Sequence, residues 1–241
     1  MQCVRLEDLD LFKRIVILTG AGISAESGLS TFRDKDGLWA KYDLAAVATP
    51  EGFRRNPGQV IDFYNMRRAI VTKARPNAAH IALAGLEERF QGEVALVTQN
   101  TDDLHEKAGS RNVLHIHGEI SKAKCAECEE IWPAPIEMNL SDACPKCFRR
   151  ATRPNVVWFG EIPYYLDEVA ELLRRADVLV SIGTSGQVYP AAGFAAEAAG
   201  SGAETLELNL EPSAISNVFD RCVYGPATRI VPEWVDELLS A

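Results

Sequence analysis

The chain has 241 residues, 47% of them hydrophobic and 24% charged, which is ordinary globular composition and room for one large domain with a smaller module. A net charge of −9 at pH 7 argues against a duplex nucleic-acid binder, which carries a basic face. The first residues lack a basic start followed by an apolar run, and no apolar stretch approaches the ~20 residues of a membrane helix. The expected compartment is therefore the cytosol, with no membrane partner, and the six cysteines read as metal ligands or thiols before disulfides.

In chain order, β-rich runs at 15–19 (IVILT), 94–98 (VALVT), 178–182 (VLVSI) and 205–209 (TLELN) are each followed by a turn former. Such runs suit parallel strands buried on both faces. Helical patterns lie between them: 76–90, with Pro76 near its start; 164–175, with Leu166, Val169, Leu172 and Leu173 on one side; and the Ala-rich 189–199. The alternation predicts a doubly wound parallel α/β sheet. Two stretches break it. Residues 31–73 hold helical fragments and no clear strand, and 120–153 are cysteine-bearing, loop-rich and proline-rich. Both read as insertions. The predicted division is a large unit of 1–33, 76–119 and 154–241, and a small unit of 34–75 (helical) and 120–153 (zinc ribbon).

Cys125, Cys128, Cys144 and Cys147 follow the spacing C-x2-C-x15-C-x2-C. Each pair can turn tightly enough to present two thiolates to one ion, and two such knuckles complete a tetrahedron. With every position filled by cysteine, no ligand place remains for water, so the site is expected to be structural zinc. Cys3 and Cys222 fall outside the pattern.

The run at 15–19 leads into Gly20-Ala21-Gly22, a glycine turn opening a helix, where backbone amides can approach a pyrophosphate. A tight turn needing positive φ is the plainer alternative. A dehydrogenase would continue into a second strand ending in an acidic residue; this chain instead runs Thr31-Phe32-Arg33-Asp34. Ribose contacts are better sought at Asn209-Leu210-Glu211 and at Gly183-Thr184-Ser185, each past a strand end. Gln99, Asn100 and Asp102 follow another strand, at the edge where open α/β sheets bind ligands. His117, beside Gly118, has the chemistry of a general base, although a structural role is the default for any single histidine.

Taken together, the segments GAGISAESG (20–28), TFRDKDGLW (31–39), TQNTDDLH (98–105), HIHGE (115–119), the two CxxC pairs, VVWFGE (156–161), GTS (183–185) and NLE (209–211) resemble the sirtuins, the NAD-dependent protein deacylases. The resemblance extends over nearly the whole chain. It implies a Rossmann-like domain, a small module with one structural zinc, and NAD meeting an acyl-lysine peptide in the cleft between them. In the family's reaction the acyl oxygen attacks the nicotinamide ribose, nicotinamide leaves, and a histidine activates a ribose hydroxyl to give free lysine and O-acyl-ADP-ribose. By position His117 is that histidine. Asn100 and Asp102 would hold the ribose and nicotinamide end, with Gln99 beside them. Gly20, Ala21, Gly22, Phe32 and Arg33 would line the NAD pocket. Gly183, Thr184, Ser185, Asn209, Leu210, Glu211 and Ala227 would serve the adenosine half. Val157, Trp158, Phe159 and Gly160 would pair with the substrate backbone as a strand and wall the lysine tunnel. Thr101 stands where the family often has Ile, a change that bears on nicotinamide affinity more than on activity.

Tyr64 and Arg67 lie three apart in a helical stretch and so share a face; taken alone, such a pair is usually solvated surface. Sirtuins that remove succinyl, malonyl or glutaryl groups carry Tyr-x-x-Arg here, and Ala48 matches the small residue that widens their pocket. The resemblance thus implies desuccinylase-type activity, with acetyl-lysine also accepted, by a monomer acting on acylated lysine peptides of proteins. The alternatives are mainly a deacetylase, a mono-ADP-ribosyltransferase, a dehydrogenase, or a zinc-ribbon interaction module that leaves the glycine turn and His117 idle.

Overall fold

A computed structural model describes residues 12–31 and 42–240. Its larger sheet has six parallel strands: β1 (Arg14–Thr19), β2 (Glu93–Thr98), β3 (Val113–His115), β7 (Val178–Ile182), β8 (Glu204–Asn209) and β9 (Arg221–Tyr224), in the order β3-β2-β1-β7-β8-β9. The order reverses between β1 and β7, and an open α/β sheet places its ligand crevice at the carboxyl ends of such strands. All four expected runs are strands. The sheet also contains β3 and β9, which are short and half-buried and lack a strong apolar run.

Side chains alternate across β1. Ile15 and Ile17 join a core with Leu83, Leu86 and Val235, from α5 (Ala78–Arg89) and α9 (Ala227–Ser240). Val16 and Leu18 join the opposite core with Val169 and Leu173 of α7 (Leu166–Arg175) and Ala195 and Ala198 of α8 (Phe194–Gly200). Burying a β-branched or leucine side chain on either face contributes roughly 1.5–3 kcal/mol. Two helical expectations shift at their starts: the chain enters α7 at Leu166, and a 3-10 turn, Ala191–Gly193, precedes α8. The N-cap of α5 is Asn77, whose side chain accepts the Ala79 amide while His80 closes a capping box, so the helix begins just past Pro76.

A second sheet is antiparallel, in the order β5 (Ile131–Pro133), β4 (Gly118–Cys125), β6 (Thr152–Val156). The stretch expected to be loop-rich is thus partly strand. Its prolines sit where a sheet tolerates them: Pro133 ends β5, and Pro154 lies on β6, at the sheet's edge. The sheet also reaches past the predicted boundaries, beginning at Gly118 and ending at Val156. Against it packs α4 (Pro57–Lys73), preceded by α2 (Leu44–Val47) and α3 (Pro50–Arg55). Pro57 at its first turn and an Asn56 side chain accepting the Gln59 amide start α4.

One residue fastens α4 to this module. Arg68 is 2% exposed. Its guanidinium donates to the carbonyls of Ile120 at 2.8 Å and Ile136 at 3.1 Å, to Asn65 Oδ1 at 2.9 Å and to Met138 Sδ at 3.0 Å. Asn65 also exchanges two hydrogen bonds with the Met138 backbone, both 2.9 Å. Burial draws Arg68 down to about 10, so it stays charged at neutral pH. Among the described residues no carboxylate pairs with it; carbonyl oxygens receive its charge.

Candidate functional site

The crevice at the β1/β7 switch point is made by backbone contact. The Gly20 amide donates to the Ile182 carbonyl and the Gly22 amide to the Gly183 carbonyl, each at 2.9 Å. A Cβ on Gly22 would lie 2.7 Å from Gly183 Cα, and one on Gly183 (φ +62) would lie 2.5 Å from the Ile23 nitrogen. This corrects the expected reason for Gly20 and Gly22. Their amides are already engaged, so the glycines let two turns press together, and the crevice takes its shape from that contact. Asn209, at the end of β8, donates to the Thr184 carbonyl at 2.8 Å and accepts the Leu210 amide. Ser185 accepts the Ala214 amide through its carbonyl, while Leu210 and Glu211 lie exposed beyond the strand. Ala227 opens α9, whose next residue, Thr228, donates twice to the Glu26 carboxylate. Phe32 and Arg33, like Cys3, lie outside the described residues.

After β2 the polar cluster turns inward. Asn100 is 7% exposed and donates to the Gly20 carbonyl at 3.1 Å and to Ser24 Oγ at 3.2 Å. Ser24 in turn donates to Asp102 at 3.2 Å, and Asp102 accepts the Leu104 amide. Burial pushes the Asp102 carboxyl up, against the opposing pull of those two donors. Thr101, the departure from the family pattern, accepts the Ile120 amide through its carbonyl at 2.9 Å.

The two histidines of HIHGE have opposite surroundings. His115 is buried, with Nδ1 3.0 Å from the Asn100 carbonyl and Nε2 2.7 Å from Glu106. Both neighbours are acceptors, so both nitrogens are asked to donate. Burial draws His115 down, but Glu106 and the Asn100 carbonyl outweigh it and the net shift is upward. The half-buried His117 has Nδ1 3.0 Å from the Gln99 carbonyl. A carbonyl only accepts, so Nδ1 carries the proton and Nε2 keeps its lone pair. Burial lowers His117, partly offset by that bond, and a neutral imidazole with a defined basic nitrogen results.

Residues 157–160 are not a strand of their own. They form a turn, and three amides point inward: Val157 to the His117 carbonyl (2.9 Å), Phe159 to the Ala48 carbonyl (2.9 Å) and Trp158 to Glu161 (2.8 Å). Gly160 has φ +90. Trp158 is buried, whereas Phe159 is 48% exposed. Behind the turn, Tyr64 is 1% exposed and its hydroxyl accepts the Trp158 indole N–H at 3.0 Å. Arg67 is half-buried, its guanidinium carbon 5.9 Å from the Phe63 and Tyr64 ring centroids. The pair is therefore not a solvated helix face.

The four cysteines converge, with all sulfurs within 4.8 Å of one another and Cys125–Cys147 and Cys128–Cys144 each at 3.6 Å. Four thiolates at Zn–S ~2.3 Å sit about 3.8 Å apart in a tetrahedron, so the donor set fits a zinc ion. The two knuckles repeat one conformation. Amides of Glu127 and Lys146 donate to the sulfurs of Cys125 and Cys144 at 3.4 Å, and Glu129 and Phe148 adopt φ of +61 and +62. Arg68, Asn65, Glu106, Arg153 and Glu161 carry no signal in the sequence, because spacing does not reveal a partner contributed by another element.

A switch-point crevice between two glycine turns, flanked by a small sheet with a zinc-fitting cysteine cluster, defines a nucleotide-binding α/β protein with a metal-clamped accessory module. Comparison with known proteins narrows the class to a family. The Sir2 family model matches residues 20–190. The chain is 59% identical over 231 residues to an NAD-dependent protein deacylase of Caulobacter vibrioides, covering 94% of this chain and 97% of the relative. To the Salmonella typhimurium protein of the same description it is 52% identical, covering 94% and 84%. A solved Sir2 homologue in complex with NAD superposes with a TM-score of 0.89 at 38% identity, covering 98% of this chain and 93% of the other. The chain belongs to the Sir2 family, and its crevice and cysteines fit that family's NAD and zinc. No helix among the described residues is long and apolar enough to cross a membrane.

Proposed function

We propose that this chain is an NAD-dependent protein-lysine deacylase that takes succinyl and malonyl groups and also accepts acetyl. One observation carries the reading: the segment 157–159 bonds to His117 at one end and to Ala48 and Tyr64 at the other. His117 and the Tyr64/Arg67 pair are thus both tied to one three-residue segment, a span of roughly 3.3 Å per residue.

When bound in the crevice, NAD supplies an electrophilic ribose carbon and carries the acyl group away as O-acyl-ADP-ribose with release of nicotinamide. The chain's residues do the rest. Asn100 and Asp102, held by Ser24 and by the Gly20 carbonyl, orient the ribose and nicotinamide end. Gly183, Thr184, Ser185, Asn209, Leu210, Glu211 and Ala227 form the adenosine side, Ala21 lines the pocket at the glycine turn, and by the family resemblance Phe32 and Arg33 belong to the same NAD pocket. His117 Nε2 accepts the proton of a ribose hydroxyl, and the Gln99 carbonyl stabilises the imidazolium that forms. With the amides of Val157, Trp158 and Phe159 engaged, residues 157–160 receive an acylated lysine peptide chiefly through carbonyl oxygens. Arg67 and Tyr64 bind the acyl carboxylate, and Ala48 leaves room for it.

The test is incubation with NAD and one peptide carrying succinyl-, malonyl- or acetyl-lysine, followed by mass analysis. Free lysine, nicotinamide and O-acyl-ADP-ribose, formed faster from the succinyl peptide, are expected. ADP-ribose left on protein would favour a transferase, and acetyl turnover without succinyl turnover would reduce the reading to a deacetylase.

A further inference from the structure

The Tyr64 hydroxyl meets the Trp158 indole, and the Arg67 guanidinium carbon lies 5.9 Å from the Tyr64 ring centroid. An indole N–H can only donate, so the 3.0 Å contact with Trp158 makes the phenol oxygen the acceptor. The phenol's single hydrogen takes no part in that bond. Among the described residues Trp158 is the hydroxyl's one hydrogen-bond partner, and Tyr64 is 1% exposed. A buried O–H with its acceptor side occupied is set to donate, and leaving it unmatched is costly.

Trp158 is itself held on three sides. The Arg153 guanidinium lies over its ring, 3.5 Å from the centroid. Arg153 forms a two-point bridge to Glu161 at 2.6 and 2.9 Å and donates to the Val156 carbonyl at 2.9 Å. Glu161 accepts the Trp158 amide. Phe53 packs on the indole, centroids 5.1 Å apart. The ring therefore has little freedom to turn its N–H away from Tyr64.

We propose that Trp158, braced by Arg153 and Glu161, is a positioning residue for acyl selectivity: it occupies the acceptor side of the Tyr64 hydroxyl and turns the hydrogen toward the terminal carboxylate of a dicarboxylic acyl group. The inference rests on the reading of Tyr64 and Arg67 as the carboxylate pocket. Burial pushes the phenol up from its ordinary value, against the pull of Arg67 and Trp158, which keeps the hydrogen in place at neutral pH. An acetyl group has no carboxylate to receive it, so any change in peptide binding at Trp158 is common to both substrates and cancels from their ratio, while the lost hydrogen bond weighs on the longer acyl groups alone.

The experiment compares Trp158→Phe, which keeps a ring and removes the N–H, with Tyr64→Phe and the double variant. The readout is the ratio of kcat/KM for succinyl- and acetyl-lysine forms of one peptide. Both rates come from one preparation, so partial unfolding cancels from the ratio. Trp158→Phe is expected to lower the ratio about three- to tenfold through the succinyl KM, the size of one hydrogen bond. The double variant is expected to fall no further than Tyr64→Phe alone, because the two residues act through one hydroxyl. Arg153→Lys, which keeps the charge and loses the fork, should shift the ratio the same way by less. An unchanged ratio in Trp158→Phe beside a lowered one in Tyr64→Phe, or additive losses in the double variant, overturns the proposal and leaves the pocket reading intact. Unchanged ratios in both Tyr64→Phe and Arg67→Met overturn the pocket reading and the inference with it.

Discussion

At the nucleotide edge of the cleft, backbone meets backbone: Gly20 and Gly22 press on Gly183, and the bonds between them are amide to carbonyl. At the proposed acyl end, side chains meet side chains: Tyr64 and Arg67 from α4, Trp158 from the turn after β6, and Arg153 behind it. A surface shaped by main chain treats every acyl substrate alike, because every reaction passes through the same nucleotide. On the proposed reading, a surface shaped by long side chains discriminates by what the acyl group presents. His117 lies between the two, tied to the first by Gln99 and to the second by Val157.

The strongest test of this contrast is His117→Tyr, which removes the basic nitrogen shared by all substrates. Turnover of succinyl and acetyl peptides should fall together by ~10²–10⁴-fold, the usual worth of a general base, with zinc content by atomic absorption unchanged. A variant of full activity would remove His117 from the reaction. Arg67→Met should separate the substrates. Loss of a charge-assisted bond, about 1.5–3 kcal/mol, lowers succinyl kcat/KM by an order of magnitude or more and acetyl much less, as read by steady-state kinetics. Equal losses would mean that Arg67 supports structure alone. Gly183→Ala should do the reverse. Its left-handed backbone and the contact with Ile23 should cost about 1–3 kcal/mol, seen as a lower melting temperature and weaker NAD binding by calorimetry, while the succinyl-to-acetyl ratio holds.

Acid sharpens the picture further. Burial draws His80 down to about 4 and His105 well below its ordinary value. An unfolded histidine titrates near ~6.5, so their contribution is present above that pH and is lost as pH falls through the folded values. His115, shifted upward, has the opposite sign: its contribution is complete below ~6.5 and is lost as pH rises through its folded value. Melting temperatures should therefore fall between pH 6.5 and 4, and a flat profile there would contradict neutral buried His80 and His105. The smallest effect is expected of Thr101→Ile, a shift in nicotinamide inhibition with little change in kcat.

The parallel strands were legible because burial on both faces leaves continuous apolar runs such as VLVSI, and the four cysteines because ligand spacing is a local property. The small sheet was not. Its longest strand breaks the polar–apolar alternation at Ser121-Lys122, the other two are short and carry proline, and all three sit in a segment whose turns dominate the pattern. Helix α9 was hidden by Pro232 within it, although Ile230, Val231, Val235 and Leu238 bury one face. In the cleft, residue types were readable and their directions were not. Nothing in HIHGE says that one ring faces a carboxylate and the next a lone carbonyl, nor does FYNMRR say that Arg68, beside Arg67, is a bolt between α4 and the cysteine module.

The glycine contact also bears on how the chain assembles. Gly22 follows the first strand and Gly183 the fourth of the large sheet, with the helical insertion, the small sheet and most of the sequence between them. The nucleotide crevice therefore cannot exist until β7 docks beside β1, a pairing of high sequence separation. Fragments ending before β7 would carry His117, all four cysteines and helix α4, yet have no crevice to which NAD could bind.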